Sequence, residues 1–114
     1  MNRILKYVLI SACITTLNLN AAVYKGQREY IKQCTSCHGG GQSFVSKKNT
    51  YEWEEIMANN GKPLVKFHLE IKEAEARQKS QKYFEHKRFE KMSKHLEDFF
   101  KEYAKDSGNI PACN

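Results

Sequence analysis

The feature that most constrains this chain is Cys34-Thr35-Ser36-Cys37-His38, with Gly39-Gly40-Gly41 directly behind it. Residues 34, 37 and 38 fall within about one helical turn and can present two thiols and an imidazole to the same side. Thiols so spaced can add to the two vinyl groups of one porphyrin while the imidazole meets its iron, the attachment pattern of haem c. The glycines let the backbone leave the porphyrin edge sharply. One haem c is therefore expected, attached through Cys34 and Cys37, with His38 as an iron ligand. Two other chemistries use the same residues. Structural zinc wants four ligands, and Cys34, Cys37, His38 and Cys113 supply them on paper, but adjacent Cys37 and His38 fit one tetrahedral ion awkwardly. A thioredoxin-type thiol pair belongs behind a strand in a βαβ unit, and no convincing strand is present.

The N-terminus places this chemistry outside the cytoplasm. Arg3 and Lys6 precede an apolar run from Tyr7 to Leu17, and Leu19-Asn20-Ala21-Ala22 offers small residues for cleavage. That order is an export signal, expected to be removed after Ala21 or one residue later, leaving residues 22–114 as one periplasmic domain. The run is too short for the ~20 residues of a membrane span, so an uncleaved anchor is the weaker reading. Lipid attachment at Cys13, behind Ile10-Ser11-Ala12, is a further alternative, although its apolar run would be very short.

Loss of residues 1–21 removes Arg3 and Lys6 and no acid, lowering the formal charge from +6 to +4. The remaining basic residues are interleaved with acids, which suits docking to acidic protein or membrane surfaces and offers no block for nucleic acid. Lys25, Arg28, Lys32, Lys47 and Lys48 flank the motif and are candidates for such docking. Cys113 is left over once Cys13 departs, and the odd count argues against a disulfide framework. It reads as a free thiol, with an intermolecular disulfide as the alternative. A domain this small gains from additional core material, and a bound haem is such material.

Hydrophobic periodicity predicts an all-α chain. Residues 23–38 read as a first helix with Gln27, Tyr30, Ile31, Cys34, Cys37 and His38 on one face, ended by Gly39 to Gly41. Gln42 to Lys48 reads as loop. Asn49 or Thr50 can cap a second helix bearing Trp53, Ile56 and Met57, which Asn59-Asn60-Gly61 stops. Pro63 opens a third helix with Leu64, Phe67, His68 and Ile71 in register, polar beyond Ile71. The strongest stripe is Phe89, Met92, Leu96, Phe99, Phe100 and Tyr103, ended near Ser107-Gly108-Asn109 and Pro111, with Phe84 at or just before its start.

The export signal, the first helix running into C-x-x-C-H, the helical middle and the amphipathic last helix together resemble a small class I cytochrome c over roughly residues 24–105. The resemblance implies an all-α domain wrapped around one haem and a role as a periplasmic carrier of single electrons between redox partners, with no small-molecule substrate. In that family a glycine and an aromatic four residues apart let the last helix cross the first closely. Gly26 and Tyr30 match them, and Tyr103 is expected to answer from the last helix. The family's usual Met in a loop before the final helix has no counterpart here. The sixth ligand is thus open among Met57, His68, His86, Met92 and His95. His86 sits among charged residues, and buried methionines are commonly core filler. His68 lies between apolar neighbours, where a buried imidazole needs a partner, and is placed first, with Met92 and His95 next.

Trp53, Tyr51, Phe67, Tyr83 and Phe84 are expected to wall the pocket. An open sixth position would instead suit a haem c enzyme or a gas-binding protein, with His68 or His95 as a polar group near the iron. Without haem, the motif would belong to a metal- or thiol-based interaction domain. Replacing both motif cysteines, Cys34→Ala with Cys37→Ala, should yield a poorly accumulating chain. A double variant folded and abundant as the wild type would show that the cofactor does not organise the domain.

Overall fold

The last helix is the element on which the others are laid. The computed structural model describes residues 21–111, and their regular structure is entirely helical. The proposed signal cleavage region up to Asn20, Cys13 and Cys113 lie outside the described residues. In chain order the elements are α1 (residues 21–33), α2 (Thr35–His38), α3 (Gly41–Val45), α4 (Thr50–Ile56), α5 (Ala58–Leu69), α6 (Ala74–Phe84) and α7 (Lys87–Glu102). No helix among the described residues is long and apolar enough to cross a membrane.

α7 buries Phe89, Ser93, Leu96, Phe99 and Phe100 along one side, a stripe at three- and four-residue spacing that packs on α3, α4, α5 and α6. α1 crosses it at Gly26, where a β-carbon would overlap the His95 carbonyl and press on the Phe99 side chain. A glycine is needed here for space, since only a bare α-carbon lets the two backbones approach this closely. Tyr30, one turn on and 1% exposed, meets Phe99 at 5.8 Å and Phe100 at 6.5 Å between ring centroids. The aromatic that answers Gly26 and Tyr30 is therefore Phe99, supported by Phe100. Tyr103, the residue expected there, packs on Phe99 at 5.6 Å and is half-buried.

Several expected boundaries shift. The first helix breaks at Cys34, and Thr35–His38 form a separate short turn. Ile31, expected on the inner face, is 48% exposed. Residues 42–45 belong to α3 and not to a loop, with Val45 fully buried and its carbonyl accepting the Trp53 indole N–H at 2.8 Å. α4 starts as expected at a capping box, Asn49 accepting from the Glu52 N–H at 2.9 Å while Glu52 accepts from the Asn49 N–H at 3.2 Å. Asn59, Asn60 and Gly61 take left-handed φ of 51°, 58° and 78°, interrupting α5 before Pro63, so the sequence stop and restart both fall where expected.

α6 is the element that apolar periodicity misses. Beyond Ile71 the chain turns a corner, with Arg77 Nη1 donating to the Ile71 and Lys72 carbonyls at 2.9 and 3.2 Å, and a new helix returns toward the motif. Its inner face is Ala76, Ser80 and Tyr83, two of them too small or polar to register as a hydrophobic stripe. Phe84 closes α6, and His86 then caps α7 by accepting from the Arg88 N–H at 3.0 Å. At the far end Asp106 accepts from the Thr50 N–H and hydroxyl, both at 2.8 Å, joining the end of α7 to the start of α4.

Emptying the α7 stripe should be costly. Leu96→Ala or Phe99→Ala is expected to destabilise by about 2 to 5 kcal/mol, and Gly26→Ala by ~1 to 3 kcal/mol through overpacking at the crossing. Chemical denaturation checks all three, and unchanged midpoints would show that this stripe and crossing do not hold the fold.

Candidate functional site

A cleft opens where the motif faces α5 and α6. Cys34 and His38 form one side together with Phe44 of α3; Leu64, Phe67 and His68 of α5 with Tyr83 and Phe84 of α6 form the other. Trp53 and Ile56 of α4 and Leu96 and Phe100 of α7 form the base. This cavity has a volume of about 360 Å³, and a second of about 590 Å³ adjoins it, sharing Cys34, His38, Phe67, His68, Tyr83 and Phe84. Such a space is within the ~300 to 1,000 Å³ typical of cofactor sites. The first cavity is walled almost wholly by apolar and aromatic groups, while Gln33, Glu73, Lys79 and Ser80 give the second a polar margin.

The motif is held in place by the core beneath it. The buried Tyr30 ring sends its hydroxyl to the Gly39 carbonyl at 2.9 Å, pinning the chain where it leaves the motif. Gly39 then takes φ 77°, which provides the sharp exit expected of the glycine run. From the opposite side Lys79 of α6 donates to Ser36 Oγ at 2.9 Å.

The two motif thiols differ. Cys34 faces the cavity, and burial, then the Glu29 carboxylate and Cys37, push its thiol up to about 12. Cys37 is exposed. A catalytic thiol pair wants an accessible cysteine with a depressed pKa, so the state of Cys34 is the reverse of what the thiol-redox alternative requires. Among the described residues no three His, Cys, Asp or Glu side chains gather into a set able to hold a metal ion, so the closed zinc alternative gains no support from them.

His38 and His68 face each other across the cleft, their ring centroids 5.9 Å apart and their planes at 79°. His68 Nδ1 lies 2.7 Å from the Leu64 carbonyl, which can only accept, so Nδ1 donates there and Nε2 is left to another partner. That backbone bond also fixes the ring, as outer partners of metal-bound histidines do. His38 packs on Phe44 at 4.4 Å and His68 on Phe84 at 4.7 Å. Burial, then the neighbouring His68 and Lys47, hold His38 below its ordinary value of 6.5. Folding thus favours its neutral ring. That contribution is complete above the ordinary value and is lost as pH falls through it toward the lower folded one.

Of the other residues weighed as ligands, none is among those lining the two cavities. Met57 is 2% exposed in the core, close to Gly61 and Phe89. Met92 is half-buried on α7. His95 lies at the α1 crossing, its Nδ1 buried without a hydrogen-bond partner. His86 is exposed and serves as the α7 cap. Trp53, Phe67, Tyr83 and Phe84 wall the cleft as expected, whereas Tyr51 is 64% exposed and donates to Glu55. Of the basic residues, Lys48 reaches the cleft, Lys47 lies over the Phe44 ring at 5.7 Å, and Arg28 covers Tyr24. Phe44 and Leu64 are site residues that sequence reasoning missed in this role; Leu64 lies one turn before His68, a spacing that points to its backbone carbonyl.

No family model matches the chain, and no curated protein or solved structure matches it either. The thiol asymmetry is directly measurable. With the chain free of cofactor and natively folded, alkylation at mildly alkaline pH should label Cys37 at least about tenfold faster than Cys34, with the difference vanishing in denaturant. Equal native rates would place Cys34 at the surface.

Proposed function

We propose that the protein is an exported monohaem c-type cytochrome of small class I-like architecture, carrying single electrons between redox protein partners in the periplasm. The observation that carries this reading is the placement of the motif's His38 opposite His68, 5.9 Å away across an apolar cleft that also receives Cys34. The donor set fits a haem: two thiols for covalent attachment and two imidazoles, while the porphyrin's own nitrogens remove the need for further protein ligands. When bound, haem supplies a one-electron iron couple.

The chain's part follows from its geometry. Cys34 and Cys37 would hold the macrocycle, and His38 and His68 would be its iron ligands, the latter oriented by the Leu64 carbonyl. Phe44, Trp53, Phe84 and Phe100 give the cleft an apolar base and wall, which would limit the water around a bound haem. Carriage of electrons requires no substrate site. The basic surface, including Lys47 and Lys48 beside the motif, suits acidic partners, membrane-bound or soluble.

Three measurements test the proposal. Haem-dependent peroxidase staining should follow the denatured polypeptide on a gel, and its absence would exclude covalent haem. The wild type should be low-spin in both oxidation states, show little spectral response to carbon monoxide when reduced, and have a low potential relative to a His/Met centre. His68→Ala should create high-spin features and carbon monoxide binding, whereas His86→Ala should leave the spectrum unchanged. High-spin, carbon monoxide-reactive wild type would overturn the carrier reading in favour of an enzyme or gas-binding protein with an open iron.

A further inference from the structure

Glu29 is buried deeper than any other charged residue described, at 1% exposure, yet it touches neither cavity directly. Both its oxygens are engaged. Tyr83 donates its hydroxyl to Oε1 at 2.9 Å, and Arg88 donates through Nε at 3.1 Å to Oε1 and through Nη2 at 2.7 Å to Oε2. Burying such a pair gains little over an apolar contact of the same volume, so stability does not account for it.

The arrangement is polarised. Arg88 is half-exposed, with its charge at the solvent side. Tyr83 lies on the other side, its ring lining both cavities beside Cys34 and His68, so its hydroxyl ties the carboxylate to the back of the cleft wall. The influence reaches the motif, since the Glu29 charge bears on the Cys34 sulfur. We propose that Glu29, graded by Tyr83 and Arg88, is a positioning charge that sets the reduction potential of the cofactor bound in this cleft. The inference rests on the haem reading above. An oxidised iron centre carries one more positive charge than the reduced one, so a carboxylate behind the wall favours the oxidised form. The guanidinium opposes it, but acts from farther out and through water, where the interaction is weaker. The Tyr83 hydrogen bond draws charge density off the carboxylate and reduces its effect.

This polarity makes the test one of sign. Full-length holoprotein is titrated spectroelectrochemically at fixed pH and ionic strength. Glu29→Gln should raise the potential and Arg88→Gln should lower it, each by about tenfold in the oxidised-to-reduced ratio, which is ~59 mV for one electron. Tyr83→Phe should lower it by less. Loosening of the wall alone would move all three variants the same way, so shifts of one sign, or no shifts, would overturn the inference. Should Glu29→Gln not fold, Arg88→Gln and Arg88→Lys decide the matter: a potential lowered by Arg88→Gln and returned toward the wild-type value by Arg88→Lys, which keeps the charge, supports it, and equal shifts in the two or none overturn it. A wild type with no covalent haem would instead overturn the proposed function and this inference with it, whereas a wild-type one-electron couple with unshifted variants would overturn the inference alone.

Discussion

The close passage of α1 over α7 at Gly26 is the contact on which the rest depends. It puts the His95 backbone where a side chain would otherwise stand and lowers Tyr30 onto Phe99 and Phe100. Tyr30 then reaches Gly39, so a helix crossing and the end of the motif are joined through one residue. Movement at the crossing would be transmitted to Cys34 and His38, because the aromatic stack between them has no slack. Dense cores behave this way: packed rings shift together or not at all.

The opposite wall is built from α5 and α6. α5 and α6 meet at a corner closed by Arg77, and α6 returns to place Tyr83 and Phe84 against His68. The two walls are joined by α7 beneath, by the Glu29–Arg88–Tyr83 cluster behind, and by the Lys79–Ser36 hydrogen bond above. The cleft is therefore a gap between two walls that share α7 as their base, and its two histidines stand on different walls.

Much of this was legible in the residues. The α7 stripe, the Asn49 cap, the stop at Asn59-Asn60-Gly61 and the restart at Pro63 each have a local cause and fell where that cause put them. The Gly26–Tyr30 pairing also held, though its partner is Phe99 rather than Tyr103, because sequence shows that a ring is available and not which turn of α7 lies opposite. α6 escaped notice because its inward face uses Ala76 and Ser80, small residues that pack without advertising themselves by hydrophobicity. Glu29 and Arg88 are 59 positions apart, and nothing local marks them as partners. The motif puts Cys34, Cys37 and His38 forward as site residues, and the apolar neighbours of His68 rank it above His95; the path of the chain sets His68 in the cleft wall and His95 at the α1 crossing.

The left-handed turn at Asn59 to Gly61 makes the following helix a ruler. Phe89 fills the space against Gly61, anchoring that end, and the helix from Pro63 carries the imidazole forward at ~1.5 Å per residue. One residue added between Pro63 and His68 would turn the ring by roughly 100° and aim it away from His38. One added at the corner after Leu69 would leave its aim untouched. Chain length between Pro63 and His68 is thus tied to the aim of the imidazole, while the corner beyond Leu69 is released from that duty.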